Sequence, residues 1–119
     1  MNRTILIVEA SIAMSQSTGY ILEQDGYVVL SAKTGNEGIQ LIGSNDIDLV
    51  IMDDSEPRIK SVISRIRELD GKKSIPILLI ANERIQNESS GNNGDNHLSI
   101  ITKPFSADTL IGCVRKVLS

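Results

Sequence analysis

The side chains with the most chemical potential in this sequence come directly after short apolar runs. Glu9 follows the run TILIV, Asp53 and Asp54 follow DLVIM, and Lys103 follows LSII after one threonine. If these runs are parallel strands, their carboxyl ends meet at one edge of a sheet, where the acids face a single ammonium group. Such a cluster is suited to holding a divalent cation and a phosphoryl group together. Each residue alone would be an ordinary turn or cap residue, so the prediction rests on their arrangement.

Five apolar runs rich in Ile, Val and Leu supply the strands that would position these side chains. They are TILIV at 4–8, YVVL at 27–30, DLVIM at 48–52, IPILLI at 75–80 and LSII at 98–101. Their apolar residues are continuous rather than alternating, which is typical of strands buried on both faces in a parallel sheet. The order βαβαβαβαβα predicts an open, doubly wound α/β sheet with a functional site at the strand ends.

Apolar residues at helical spacing lie between the runs and after the last one. Gly26 is expected to cap the C-terminus of the first helix, and Ser106 the N-terminus of the last. Residues 82–96, NERIQNESSGNNGDN, are rich in Asn, Ser and Gly, so the fourth of the five helices is expected to be poor. The expected apolar faces are Met14, Thr18, Ile21 and Leu22; Ile39 and Ile42; Val62, Ile63, Ile66 and Leu69; and Leu110, Ile111, Val114, Val117 and Leu118.

Length and composition narrow the class of protein. The 119 residues suit one domain, spanning 1–119, with one hydrophobic core. Lys and Arg total 12 against 15 Asp and Glu, and the net charge of -3 argues against direct binding of nucleic acid. The apolar run near the N-terminus is too short for a signal peptide or membrane span, so a cytoplasmic protein without membrane contact is expected. Cys113 is the single cysteine and is expected to pack as a small apolar residue.

The segments ILIVEA, GYVVLSAKTGNEG, DLVIMD followed by Pro57, PILLIA and TKPF occur in the order and at the spacing of a known family. From Ile5 to Leu118 the chain resembles the response-regulator receiver domains of two-component signalling. The resemblance implies a flavodoxin-like or CheY-like (βα)5 fold with strand order 2-1-3-4-5. It implies that Asp53 is the phosphoacceptor and that Lys103 pairs with its carboxylate or acyl phosphate. It further implies that Glu9, Asp53 and the backbone carbonyl of Ser55 surround Mg²⁺.

Several positions depart from the pattern of that family. Ala10 replaces the second acid of the metal pair, which weakens the implied Mg²⁺ site, and Asp54 is a less favoured substitute because its side chain is expected to point away. Ala81 replaces the switch hydroxyl, and Ile100 replaces the aromatic side chain coupled to it. Without that hydroxyl, a hydrogen bond worth about 1.5–3 kcal/mol to a charged group is missing. Asp54 and Glu56 are expected on the surface of the loop.

Two interpretations of the function stay open. In the first, the chain accepts a phosphoryl group at Asp53 from a sensor histidine kinase or phosphotransfer protein and signals to a downstream protein or effector domain. In the second, it is a pseudo-receiver, an interaction or dimerisation module that works without phosphate. The surface formed by the fourth helix, the fifth strand and the last helix would carry a homodimer. Asp53 and Lys103 favour the first interpretation, whereas Ala10, Ala81 and Ile100 favour the second.

An enzyme on a similar sheet is not supported by the residues present. Phosphatases with an Asp nucleophile need a second Asp two residues later as general acid, and that position is Ser55. A nucleotide or flavin site would need a glycine-rich loop after the first strand, but EASIAMS has no glycine. His97 is the single histidine and cannot form a zinc cluster or a triad. Asn82 at the end of the fourth strand is expected to be a turn residue rather than a phosphate ligand.

Overall fold

The computed structural model describes residues 2–81 and 97–119, and within them every apolar run predicted as a strand forms one. The strands are β1 (Thr4–Val8), β2 (Val28–Ala32), β3 (Leu49–Asp53), β4 (Ile77–Ala81) and β5 (Leu98–Thr102). β2, β3, β4 and β5 each end one or two residues later than the sequence predicts. Asp53 and Ala81 are therefore the last residues of their strands rather than the first residues of the following loops.

The strands form one parallel sheet in the order β2-β1-β3-β4-β5, which confirms the predicted fold class and strand order. The central strand, β3, is buried at all five positions because it has a neighbour on each side and helices on both faces. Its last residue pairs with Ile80 of β4, and Ala81 pairs with Thr102 of β5. The carboxyl ends of β3, β4 and β5 therefore lie side by side.

Four helices lie within the described residues: α1 (Ile12–Gln24), α2 (Gly35–Ser44), α3 (Ile59–Glu68) and α4 (Ala107–Leu118). Alternate residues of each strand enter two apolar clusters on opposite faces of the sheet. Leu6 of β1 packs in the cluster that contains Ile42 of α2 and Ile66 of α3. Ile7 packs in the cluster that contains Leu22 of α1 and Leu110 of α4. The helices thus cover both faces, as a doubly wound sheet requires.

The predicted helix caps agree with the structure, whereas the predicted buried face of α1 agrees only in part. Gly26 follows α1 with a φ of 95°, and Ser106 accepts the amide of Thr109 at the start of α4, so both predicted caps are confirmed. Met14, which the sequence places on the buried face of α1, is exposed. Ser15 is buried instead, which shows that the packed face of α1 is built largely from small and polar residues.

Residues 82–96, where the sequence predicts a poor helix, lie outside the described residues. Within the described part of the chain, no helix is long and apolar enough to cross a membrane.

Candidate functional site

Asp53 is the buried acid at the centre of the site. It ends the central strand, and its relative exposure is 5%. Oδ2 lies 2.8 Å from Nζ of Lys103, and Oδ1 accepts the backbone N–H of Ser55 at 2.8 Å. Burial tends to raise the pKa of Asp53, but the hydrogen bonds from Lys103 and Ser55 outweigh burial and lower it. The carboxylate is thus held ionised, in the nucleophilic form.

Lys103 reaches Asp53 from the segment that follows β5. Its backbone N–H donates to the carbonyl of Ala81 at 2.9 Å, and a cis peptide bond joins it to Pro104. The hydrogen bond to Asp53, together with the negative charges of Asp53, Glu9 and Asp54, raises the pKa of Lys103. The cation is therefore fixed beside the carboxylate across the end of β4, as the positions of Asp53 and Lys103 in the sequence predict.

Glu9 comes directly after β1 and is half-buried. Its amide donates to the carbonyl of Ala32 at 2.9 Å, and its Oε2 accepts the amide of Ser11 at 3.0 Å. Burial raises the pKa of Glu9, and the neighbouring carboxylate of Asp53 raises it further through its charge and a hydrogen bond. The structure therefore brings Glu9 and Asp53 together, whereas Ala10 is exposed beside them and adds no ligand.

Asp54 does not replace the acid that is absent at Ala10. Its amide donates to the carbonyl of Ile80 at 3.0 Å. Its Oδ2 is buried without a hydrogen-bond partner in the described structure, so the expectation that Asp54 lies on the loop surface was wrong. Across residues 2–81 and 97–119, no three His, Cys, Asp or Glu side chains form a group that could hold a metal ion. Glu9 is therefore the acid whose pKa the Asp53 carboxylate affects.

Asp53 is buried at the end of the central strand and pairs with Lys103 after the last strand. The sequence that forms this site and fold also matches the model of a known protein family. The model of the family described as "Response regulator receiver domain" matches residues 5–115. The chain belongs to the response regulator receiver domain family. Receiver domains of this family are signalling modules of two-component systems, and the function of this chain lies in that class.

Three similar proteins illustrate the match. Response regulator RR06 of Streptococcus pneumoniae serotype 2 is 26% identical over 117 residues, covering 96% of this chain and 52% of that protein. The structure of chemotaxis response regulator CheY4 of Vibrio cholerae has a TM-score of 0.90 at 24% identity, covering 99% of this chain and 100% of that one. The receiver domain of sensor histidine kinase PA1611 from Pseudomonas aeruginosa PAO1, solved with a magnesium ion in its active-site cleft, has a TM-score of 0.86 at 19% identity, covering 99% and 98%. This chain spans about half the length of curated relatives such as RR06.

Ala81 and Ile100, the two positions that the sequence analysis assigns to the switch, lie on neighbouring strands. Ala81 ends β4 with 2% exposure, and its methyl group offers no hydrogen bond. Ile100 is half-buried in β5, opposite Leu79. The strand positions agree with the sequence prediction, and neither side chain can act as the hydroxyl or ring of the family pattern. Asn82 lies outside the described residues.

Glu56 is a residue that the sequence interpretation misplaced on the loop surface. It is half-buried, and its Oε1 accepts the backbone N–H of Gly35, the first residue of α2, at 2.5 Å. The expectation was wrong because the segments that contain the two residues meet only in the folded chain. A Glu in the loop after Asp53 carries no local signal that its partner is a helix N-terminus 21 residues earlier.

Proposed function

We propose that this receiver domain accepts a phosphoryl group at Asp53 from the phosphohistidine of a sensor histidine kinase or phosphotransfer protein. The observation that carries the proposal is the buried Asp53 carboxylate, held ionised by Lys103 at 2.8 Å at the open end of the sheet. Glu9 lies beside it and adds a second negative charge. A cation-compensated carboxylate at this position is equipped to take up a dianionic group.

The proposed reaction exchanges one phosphoryl bond for another. A carboxylate oxygen of Asp53 attacks the phosphorus of the donor phosphohistidine, and a new O–P bond forms as the P–N bond breaks. The electron pair of the broken bond stays on the imidazole nitrogen of the donor. Lys103 offsets the negative charge that gathers on the phosphoryl oxygens, and the Ser55 amide holds the carboxylate in place through Oδ1.

Receiver domains typically bind Mg²⁺ at this site, and the residues present here provide part of a ligand set. The Glu9 and Asp53 carboxylates are hard oxygen donors that face each other, and the backbone carbonyl of Ser55 is the third proposed ligand. Mg²⁺ usually retains several waters and needs few protein carboxylates, so this set fits the ion despite Ala10. When bound, the ion would supply positive charge next to the phosphoryl oxygens.

The output is proposed to be a protein contact rather than a reaction product. Curated relatives such as RR06 are about twice as long as this chain, and the proposed downstream partner is an effector domain or a separate protein. A homodimer through β5, α4 and the segment at 82–96 is a further proposal. Direct nucleic-acid contact is not proposed for this acidic domain.

A second function is favoured by one specific observation, the absence of both switch side chains at Ala81 and Ile100. A phosphoryl group on Asp53 could not accept a hydrogen bond from a side-chain hydroxyl at position 81, because Ala81 has none. If the conformational equilibrium then stays the same with and without phosphate, the domain works as a phosphorylation-independent interaction module. The two functions differ in whether modification of Asp53 changes the surface of β5 and α4.

The test is phosphorylation with acetyl phosphate, with and without Mg²⁺, followed by intact mass and by amide NMR with beryllofluoride. Asp53→Ala is the variant that removes the proposed acceptor, and Asp54→Asn is the matched control one residue away. Mg²⁺-dependent modification that persists in Asp54→Asn and disappears in Asp53→Ala supports a working receiver. Amide shifts that reach residues 98–105 would show that modification of Asp53 also changes the surface of β5 and the segment after it. A wild-type chain that stays unmodified contradicts the first function and favours the second.

A further inference from the structure

Glu56 connects the loop of the phosphoacceptor to the N-terminus of a neighbouring helix. Its backbone N–H donates to the carbonyl of Asp53 at 3.1 Å, so the residue is tied to the end of β3. Its side chain crosses to α2 and accepts the Gly35 N–H at 2.5 Å. Because the first amides of a helix lack partners inside the helix, a carboxylate at this point satisfies one of them and favours the positive end of the helix dipole.

The approach of the two segments depends on the absence of a side chain at position 35. A Cβ at Gly35 would lie 2.5 Å from Cγ2 of Val62 in α3 and 2.6 Å from Oε1 of Glu56. Next to this contact, Arg65 of α3 donates to Oδ1 of Asn36 at 2.8 Å. The start of α2 is thus packed against both the loop after β3 and helix α3.

Two residues, Asp54 and Ser55, lie between Asp53 and Glu56. The Ser55 amide donates to Oδ1 of Asp53, so any movement of the loop changes how the carboxylate is held. We propose that Glu56 is a positioning residue for the phosphoryl-acceptor site: by binding α2, it fixes the loop so that Ser55 stays on Asp53. The functional part of this inference rests on the proposed phosphorylation of Asp53.

Glu37 offers a matched comparison at the same end of α2. Its Oε1 accepts the amide of Lys33 just before the helix at 2.9 Å, and its own amide donates to Oγ1 of Thr34, the N-cap residue of α2. Unlike Glu56, it has no place in the loop of Asp53. Substituting Glu37 therefore removes a carboxylate hydrogen bond at the same end of α2 and leaves the contact between Glu56 and Gly35 in place.

The experiment compares wild type with Glu56→Ala, Glu56→Gln and Glu37→Ala. Amide hydrogen exchange at Ser55, measured by NMR without Mg²⁺, reports the loop; the initial rate with acetyl phosphate at subsaturating Mg²⁺ reports the site. In Glu56→Ala, exchange at Ser55 is expected to rise about tenfold, the factor for one lost hydrogen bond. The phosphorylation rate is expected to fall about tenfold, the lower end of the range for losing a residue that holds the ligands of a metal site in place without touching the metal. Glu56→Gln keeps an oxygen acceptor and is expected within about twofold of wild type.

The outcomes separate this inference from the proposed function. If Ser55 exchange in Glu56→Ala stays at the wild-type rate, or if Glu37→Ala raises it equally, the positioning role is overturned. If exchange rises but the phosphorylation rate does not change, Glu56 orders the loop without serving the reaction, and the inference is again overturned. If wild type itself is not phosphorylated, the proposed function fails, while the Ser55 exchange rates still decide whether Glu56 positions the loop.

Discussion

The Nζ atom of Lys103 lies 2.8 Å from Oδ2 of Asp53, and this ion pair joins the end of β3 to the segment after β5. β4 lies between the two strands, so the pair bridges three neighbouring strand ends. The Asp53 side chain is 6% exposed and the Lys103 side chain 33% exposed, which leaves the pair open to solvent from the lysine side. A phosphoryl group that reaches Asp53 therefore meets the ammonium group directly.

Lys103→Met removes the charge and keeps much of the length of the side chain. We expect the free energy of unfolding to fall by about 2 kcal/mol, because a buried carboxylate loses its cation. The loss is expected to be smaller in Asp53→Asn, where no charge needs compensation. Urea unfolding of wild type, the two single variants and the double variant gives the coupling energy between Lys103 and Asp53. If Lys103→Met lowers the free energy of unfolding equally with Asp53 and with Asn at position 53, the ion pair does not stabilise the fold.

Glu9→Gln tests the cost of an ionised carboxylate that is half-buried and lies near the charge of Asp53. The native pKa of Glu9 is raised, so the charged form destabilises the fold at neutral pH, and the penalty disappears as the pH falls below the ordinary range of a glutamate. Glu9→Gln is therefore expected to be more stable than wild type by about 0.5 kcal/mol at pH 7, a value typical of partly exposed charges. In the Asp53→Asn background, Glu9→Gln is expected to raise the free energy of unfolding by less. If the stability difference between wild type and Glu9→Gln is the same at every pH in the acid range, the charge of Glu9 is not its cause.

Asp53 has the opposite effect on the pH dependence of stability from Glu9, because its charged form stabilises the fold. Its native pKa is lowered, so the pair with Lys103 contributes above the ordinary pKa of an aspartate and is lost as the pH falls through the lowered native value. The difference in stability between wild type and Asp53→Asn is expected to change only in this acid window. Thermal unfolding at a series of pH values measures it; a change centred near neutral pH would contradict the assignment.

The sequence predicts the strand-end residues well because parallel strands bring their carboxyl ends to one edge. Asp53 and Lys103 needed only the correct order of strands to meet. Glu56 could not be found in this way, since its contact depends on how closely α2 approaches the loop. Gly35 makes that approach feasible, but its meaning is visible only once Val62 is in place.

The face of α1 shows a second limit of the sequence patterns. Thr18 and Leu22 are buried as the apolar spacing predicts, whereas Met14, which the same spacing places inward, is exposed and Ser15 is buried. Gly19 is also buried, so three of the four buried residues of this helix are small. Hydrophobic periodicity identifies large buried side chains and gives no signal for such a face.

Ala81→Thr together with Ile100→Tyr restores the hydroxyl and ring of the family pattern. In the unmodified domain we expect a loss of about 1–3 kcal/mol in the free energy of unfolding, because Ala81 is 2% exposed and added atoms must be accommodated. With beryllofluoride, amide shifts are expected to spread along β5 further than in wild type. Identical shift patterns in both proteins would show that these two positions do not limit the response.

Gly35→Ala tests the close packing at the start of α2. The added Cβ would meet Val62 and Glu56 at 2.5 Å and 2.6 Å, so we expect the free energy of unfolding to fall by about 1–3 kcal/mol, the range for overpacking. Gly43→Ala is the control, because it lies in the same helix and a Cβ there has nothing within 4 Å. That variant is expected to gain about 0.5–1 kcal/mol from higher helix propensity. Urea unfolding of both variants decides the matter: a stable Gly35→Ala would mean that Glu56 and Val62 move aside at little cost, and that the loop beside Asp53 is not fixed by this packing.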